Sequence, residues 1–312
     1  MTRAVVFAYH DVGCRCLQVL LAGGVEVPLV VTHEDAPGET IWFDSVAALA
    51  RTHDIPVITP EDPNEPDLIE HFNRLAPDFF FSFYYRRMLK PALLHVPARG
   101  ALNMHGSLLP KYRGRVPVNW VVIRGETETG ASLHYMTAKP DQGDLVDQFA
   151  VPILPDDRAI DVFRKVTVAA ELVLHRSLPQ LVAGTAPRTP QDHARGSYFG
   201  GRCPEDGRID WTRSAASIHN LVRGVAPPYP GAFCTVTGHR LRVLRTVPIT
   251  APVPSVGHPA LHLVGERACV ECGDGAWLWL IDLEIDGAPA DVTLRQRVLG
   301  DGPIPLERAN HL

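Results

Sequence analysis

The first half of the chain alternates apolar runs with helical periods, and this alternation constrains the fold more than any other feature. "RAVVFAY", "VEVPLVVTH", "PVITP", "DFFFSF" and "GALNMH" read as strands. "CLQVLLAG", "FDSVAALARTHD" and "PDLIEHFNRLA" read as the helices between them. Strands separated by helices must run parallel, because the chain returns to the same sheet edge after each helix. "GASLHYMTA" and "LVDQFAVPI" then read as a strand pair joined across "KPDQGD", followed by a long helix at 159–182. Near residue 184 the pattern changes: "AGTAPRTPQDHARGSYFGGRCPEDG" is rich in Gly and Pro and has no period, as a linker does. A helix, "SAASIHNLVRGV", precedes the short strands "GAFCTVT", "HRLRVLRTV", "ACVECG" and "AWLWLIDLEI", the pattern of a small, partly open β-barrel. The expected limits are a catalytic domain at 1–183, a linker at 184–203 and a β domain at 204–312.

Composition narrows the function. The 312 residues suffice for two domains of roughly 100–200 residues each. A net charge of −5 suits a polyanion poorly, so no nucleic-acid partner is expected. No run approaches the ~18 apolar residues of a membrane helix, and "MTRAVVFAYHDVG" lacks the apolar stretch of a signal peptide. The six cysteines are scattered, which suggests free thiols in a reducing cytoplasm. Cys269 and Cys272 form one C-x-x-C, but Cys14 and Cys16 do not supply a second metal-ligand pair, so no metal is expected. The first βα turn, "AYHDVGC", lacks G-x-G-x-x-G, so nothing supports a nicotinamide cofactor.

Chemistry concentrates in "ALNMHGSLLPKYRGRVPVNW", residues 101–120. Asn103 and His105 are two apart on a strand and therefore share a face. Strand C-termini of open α/β sheets are where ligands bind. An amide beside an imidazole suits acyl transfer: the amide stabilises a developing oxyanion and the imidazole moves a proton. The same two residues also fit a turn-capping Asn and a backbone-satisfied His, and on their own they leave both readings open. Lys111, Arg113 and Arg115 follow, suited to an anionic substrate or to a solvated turn. Asp141 and Asp144 lie in "KPDQGD", where a carboxylate could serve the imidazole or bond its own backbone.

With "FAYHDVG", "THEDAPGE", "FSFYYR", "HGSLLPKYRGR", "GETETG" and "GASLHYMTAKPDQGDLV" added, the chain resembles the 10-formyltetrahydrofolate-dependent formyltransferases over essentially its whole length. It is most similar to the domain that formylates UDP-4-amino-4-deoxy-L-arabinose in lipid A modification. "PPYPGAF" is similar to the start of that family's C-terminal domain. The resemblance implies an α/β fold: a Rossmann-like, mainly parallel sheet with a smaller C-terminal β-barrel-like (OB-type) domain. It implies that Asn103 stabilises the tetrahedral intermediate, that His105 carries the proton and that Asp141 holds and polarises the imidazole. Asp144 has no such role in the family pattern. The folate donor is expected against Arg87, Met88, Leu89 and Arg115, and along Thr137, Ala138, Lys139, Pro140 and Asp141. Gln142 replaces the alanine of the aminoarabinose enzyme's loop and suits other family members, so the loop leaves the acceptor open. The dehydrogenase domain that follows the formyltransferase in the bifunctional arabinose enzyme is expected to be absent from a chain ending at Leu312.

The implied activity is formyl transfer from 10-formyltetrahydrofolate to the amine of a nucleotide-linked amino sugar, UDP-4-amino-4-deoxy-L-arabinose first and a dTDP-linked sugar as the alternative. Methionyl-tRNA formyltransferase shares the fold, but there the segment matching 34–44 is longer and basic; here it is "EDAPGETIWFD". Formyltetrahydrofolate deformylases use a similar triad behind an extra N-terminal domain, whereas this chain begins at its first strand. A silent binding module would not need Asn103, His105 and Asp141 together. No oligomeric state is implied.

Overall fold

The structure is a computed structural model and describes residues 1–36, 38, 40–300 and 302–306. Its contacts separate two units: Met1–Pro117 with Glu128–Pro152 and Phe163–Gly200, and Val118–Thr127 with Ile153–Val162 and Gly201–Leu312.

In the first unit the elements run β1 (Arg3–Ala8), α1 (His10–Ala22), β2 (Glu26–Val31), α2 (Val46–Thr52), β3 (Val57–Ile58), α3 (Pro66–Leu75), β4 (Phe79–Phe83), α4 (Pro91–Leu94) and β5 (Ala101–His105). β6 (Arg113–Gly114), β7 (Glu128–Tyr135), β8 (Leu145–Pro152) and β9 (Tyr198–Phe199) follow; α5 (Pro117–Ile123) falls in the second unit from Val118 onward, and α6 (Ala159–Ala183) enters the first unit at Phe163. The sheet order is β3-β2-β1-β4-β5-β7-β8. The first five strands are parallel, and β7 and β8 join antiparallel. Strand order reverses between β1 and β4, which places a crevice at their C-terminal ends.

The central strands β1, β4 and β5 are buried on both faces over nearly their whole length. β4, "FFFSF", is buried at every position. Phe80 meets Phe7 and Phe72 edge-on at 5.1 and 5.8 Å between ring centroids, while Phe81 on the opposite face stacks on Phe83 at 5.6 Å. Each buried Phe contributes about 1.5–3 kcal/mol, so β4 anchors the sheet whose end carries the site. The helices begin where caps allow: the Ser45 side chain accepts from Ala48 N at 3.2 Å, and Pro66 opens α3.

The second unit contains α7 (Ala215–Val225), β10 (Ala232–Val236), β11 (His239–Ile249), β12 (Ala260–Val264), β13 (Arg267–Glu271), β14 (Trp277–Ile285), β15 (Ala288–Pro289), α8 (Val292–Leu299) and β16 (Ile304–Pro305). Its antiparallel sheet, β10-β11-β14-β13-β12-β16, is an open half-barrel. Ile218 and Val222 of α7 belong to one core with Leu241, Val270 and Leu278 of the sheet. The mainly parallel sheet and the small antiparallel domain are those read from the sequence. The structure adds α4, α5, β12, α8 and the two-residue strands β6, β9, β15 and β16, and α1 begins at His10 rather than Cys16. All six cysteines are free. Burial pushes the Cys272 thiol up to about 12, so the C-x-x-C pair packs as small apolar residues.

Candidate active site

The site forms where β5, β6 and β7 end. Asn103 and His105 share one face of β5, and the antiparallel register sets Asn103 opposite His134 and His105 opposite Ser132. Ser132 fixes the turn after β5. Its Oγ donates to Ser107 O at 2.5 Å and accepts from Leu109 N at 3.1 Å and from Gln148 Nε2 at 2.7 Å. The Ser107 hydroxyl closes the turn by donating to Lys111 O at 2.7 Å.

Asp141 links the side chains that the strands present. Its Oδ1 is 3.6 Å from His105 Nδ1 and 3.5 Å from His134 Nε2, and its Oδ2 accepts from Gly114 N at 2.8 Å. Asn103 Nδ2 is 3.2 Å from His134 Nε2. His105 Nε2 donates to Tyr112 O at 2.8 Å, and His134 Nδ1 faces Tyr135 O at 2.9 Å. His134 Nε2 lies between the Asn103 amide and the Asp141 carboxylate: without a proton it accepts from Asn103, and with one it donates to Asp141. Burial alone would push the Asp141 carboxyl up. The charge of His105, the hydrogen bond and charge of His134 and the Gly114 N–H outweigh it, holding the carboxyl well below the usual range.

The backbone here is bent into uncommon conformations. Tyr112 has φ 57° and Asp141 φ 55°. Each left-handed residue costs roughly 1–2 kcal/mol, offset by the bonds that hold the turns. Two glycines are required by close approach: a Cβ at Gly143 would run into Tyr135 O, and one at Gly114 into Phe199 O.

Asn103, His105 and Asp141 are thus brought together, with His134 joining the first to the last. His134 is 1% exposed and lies in an apolar strand; its one signal in the sequence is an imidazole within "GASLHY". Among the positions expected to meet the donor, Arg87, Met88 and Arg115 are exposed, as are Thr137, Ala138 and Lys139, and Pro140 is half-buried. The Leu89 side chain is in the core, at 2% exposure. Asp144 gives its backbone carbonyl to Tyr135 N at 2.9 Å. Lys111 is exposed, and Arg113 Nε donates to Ser197 O at 3.4 Å. No group of three or more His, Cys, Asp or Glu side chains among the described residues is arranged to hold a metal ion.

Rings from "FAYHDVG", "THEDAPGE" and "FSFYYR" gather where β1, β2 and β4 end. His10 stacks on Phe43 at 3.8 Å and His33 on Tyr85 at 4.2 Å. The Arg86 guanidinium lies 4.4 Å from the Tyr9 ring, and Tyr9 Oη donates to Asp35 at 2.6 Å. Burial pushes the Tyr85 hydroxyl up to about 12, so it stays neutral.

Residues 11–178 match the formyl transferase family, and residues 203–293 match the formyl transferase C-terminal domain. Among solved structures, the chain is similar to an N-formyltransferase from Helicobacter canadensis in complex with folinic acid and dTDP-3-aminofucose. The TM-score is 0.73 at 20% identity, over 90% of this chain and 99% of that one. It is also similar to WlaRD, a sugar 3N-formyl transferase solved in the presence of dTDP and 5-N-formyl-THF, with a TM-score of 0.72 at 19% identity over 89% and 97% of the two chains. HypX from Aquifex aeolicus matches with a TM-score of 0.63 at 18% identity, over 99% of this chain and 50% of that one.

Proposed function

The chain belongs to the formyl transferase family, and on that premise we propose that it moves a formyl group from 10-formyltetrahydrofolate to the amine of a nucleotide-linked amino sugar. The observation that carries this reading is the joining of Asn103, His105 and Asp141 at the ends of β5 and β7. The neutral amine attacks the formyl carbon, forming a C–N bond and a tetrahedral adduct. Asn103 donates an N–H to the adduct's oxygen while His134 holds the amide in place. His105 gives up its contact with Tyr112 O and carries its ring proton on Nδ1, facing Asp141; Nε2 then takes the amine's proton and passes it to the folate nitrogen as the donor's C–N bond breaks. Asp141 stays ionised, holds the ring and stabilises its charge. The donor lies along Arg87, Met88, Leu89 and Arg115 and along Thr137–Asp141. The exposed 137–139 stretch is open to such a ligand.

For the acceptor we favour UDP-4-amino-4-deoxy-L-arabinose. The motifs from "FAYHDVG" to "GETETG" support it, as does a segment 34–44 with four carboxylates and no Lys or Arg. A dTDP-linked amino sugar is the second reading, supported by the dTDP-3-aminofucose and dTDP held by the two sugar formyltransferases of similar fold. Purified protein given 10-formyltetrahydrofolate and a panel of UDP- and dTDP-linked amino sugars, with products read by mass spectrometry, tests the reading. An N-formyl product from the UDP-pentose in preference to the dTDP sugars supports the first acceptor, and the reverse preference supports the second. No product from any member of the panel overturns both.

A further inference from the structure

The aperiodic stretch after α6 returns to the site and ties its turns together. Thr189 exchanges two backbone hydrogen bonds with Leu145, at 2.8 and 2.9 Å. Ser197 Oγ accepts from Tyr112 N at 2.8 Å, and Ser197 O accepts from Arg113 N at 3.0 Å. Phe199 O accepts from Arg115 N at 2.9 Å. Between these anchors sits Gln191, 8% exposed. Its Nε2 donates to Asp141 O at 3.0 Å and to Gly143 O at 2.7 Å. Only an amide nitrogen can face two carbonyls, so the orientation of the side chain is fixed. Its Oε1 is buried and has no hydrogen-bond partner, a cost accepted for the two donated bonds.

We propose that Gln191 is a positioning residue for formyl transfer: it holds the left-handed Asp141 turn, and through it the aim of the carboxylate at His105 and His134. The inference rests on the role given to Asp141 above. Gln191 touches neither imidazole in the hydrogen-bond network, so any effect on turnover must pass through the turn. Its bonds end on Asp141 and Gly143, at the last residue of the expected donor path and beyond it, so kcat should fall by more than KM for the donor rises.

The test is a double-mutant cycle on the full chain. Gln191→Met keeps the length of the side chain and removes both donors. It should lower kcat by on the order of 10–100-fold, the scale of loss when a reacting group is misplaced by about an ångström, with a smaller rise in KM for the donor. In an Asp141→Asn background the same substitution should cost no more than about threefold, because residues acting through one another are non-additive. Thermal unfolding in both backgrounds reports the fold. If Gln191→Met does not fold, Gln191→Asn, an amide one methylene shorter, takes its place in the cycle and should show the same non-additivity. Equal losses in the two backgrounds, or unchanged kcat, overturn the proposal. Unchanged turnover in Asp141→Asn alone overturns instead the role of Asp141 on which it rests.

Discussion

Asn103 and His134 stand opposite each other in the β5–β7 pair, with Asn103 Nδ2 3.2 Å from His134 Nε2. The imidazole fixes which way the amide points, and an oxyanion donor works only if it is aimed before charge develops. His134→Phe keeps a ring in the strand but removes the acceptor. Its kcat is expected to fall toward, and not beyond, the loss on the order of 10²–10³ expected of Asn103→Ala. Steady-state kinetics on both variants checks the order, and a His134→Phe enzyme with wild-type kcat would separate the two residues.

The role proposed for His105, proton carrier, is tested directly. His105→Ala is expected to lower kcat by on the order of 10²–10⁴. The ring is 6% exposed, so circular dichroism and thermal unfolding should accompany the kinetics. A folded variant with near-normal turnover would remove His105 from the mechanism.

Asp141 gives the pH dependence. Its carboxyl is held well below the usual range in the folded chain, so its stabilising contribution is complete above the unfolded value of about 3.9 and is lost as pH falls through the folded value. Wild-type protein should therefore lose more stability than Asp141→Asn as pH drops below about 4. Parallel acid-unfolding curves for the two proteins would show that the carboxyl is not held down by the two histidines.

Gly143 tests the close approach of the turn to β7. A Cβ there would meet Tyr135 O, so Gly143→Ala must shift the backbone. Overpacking of this kind costs about 1–3 kcal/mol, which should lower Tm by on the order of 2–10 °C. Turnover should fall with it, because Gly143 O is one of the two carbonyls bound by Gln191. Calorimetry and kinetics on the same sample check both.

The sheet was legible because strands such as "DFFFSF" must be buried on both faces, and the helices between them follow from that. Asn103 and His105 stood out because a spacing of two on a strand puts both on one face. His134 did not, since its place opposite Asn103 depends on the register of an antiparallel pair, which no local pattern encodes. Gln191 was hidden for another reason: it lies in an aperiodic Gly- and Pro-rich stretch, where composition predicts a linker and is blind to long-range bonds. Apolar spacing starts α1 at Cys16 and the structure starts it at His10, because His10, Asp11 and Gly13 in its first turn carry no apolar period. Helix α5, with Pro117 at its head, was masked by the cationic motif before it.

The most direct test of the account is a side-by-side assay of formyl transfer from 10-formyltetrahydrofolate to UDP-4-amino-4-deoxy-L-arabinose and to methionyl-tRNA, at low and physiological salt. A tRNA engages several phosphates and its binding weakens steeply with salt, whereas one diphosphate is held by a few cations. The account predicts formylation of the sugar with only a modest loss of rate as salt rises, and no product from the tRNA. Formylation of methionyl-tRNA with a strongly salt-sensitive KM, and none of the sugar, would contradict it.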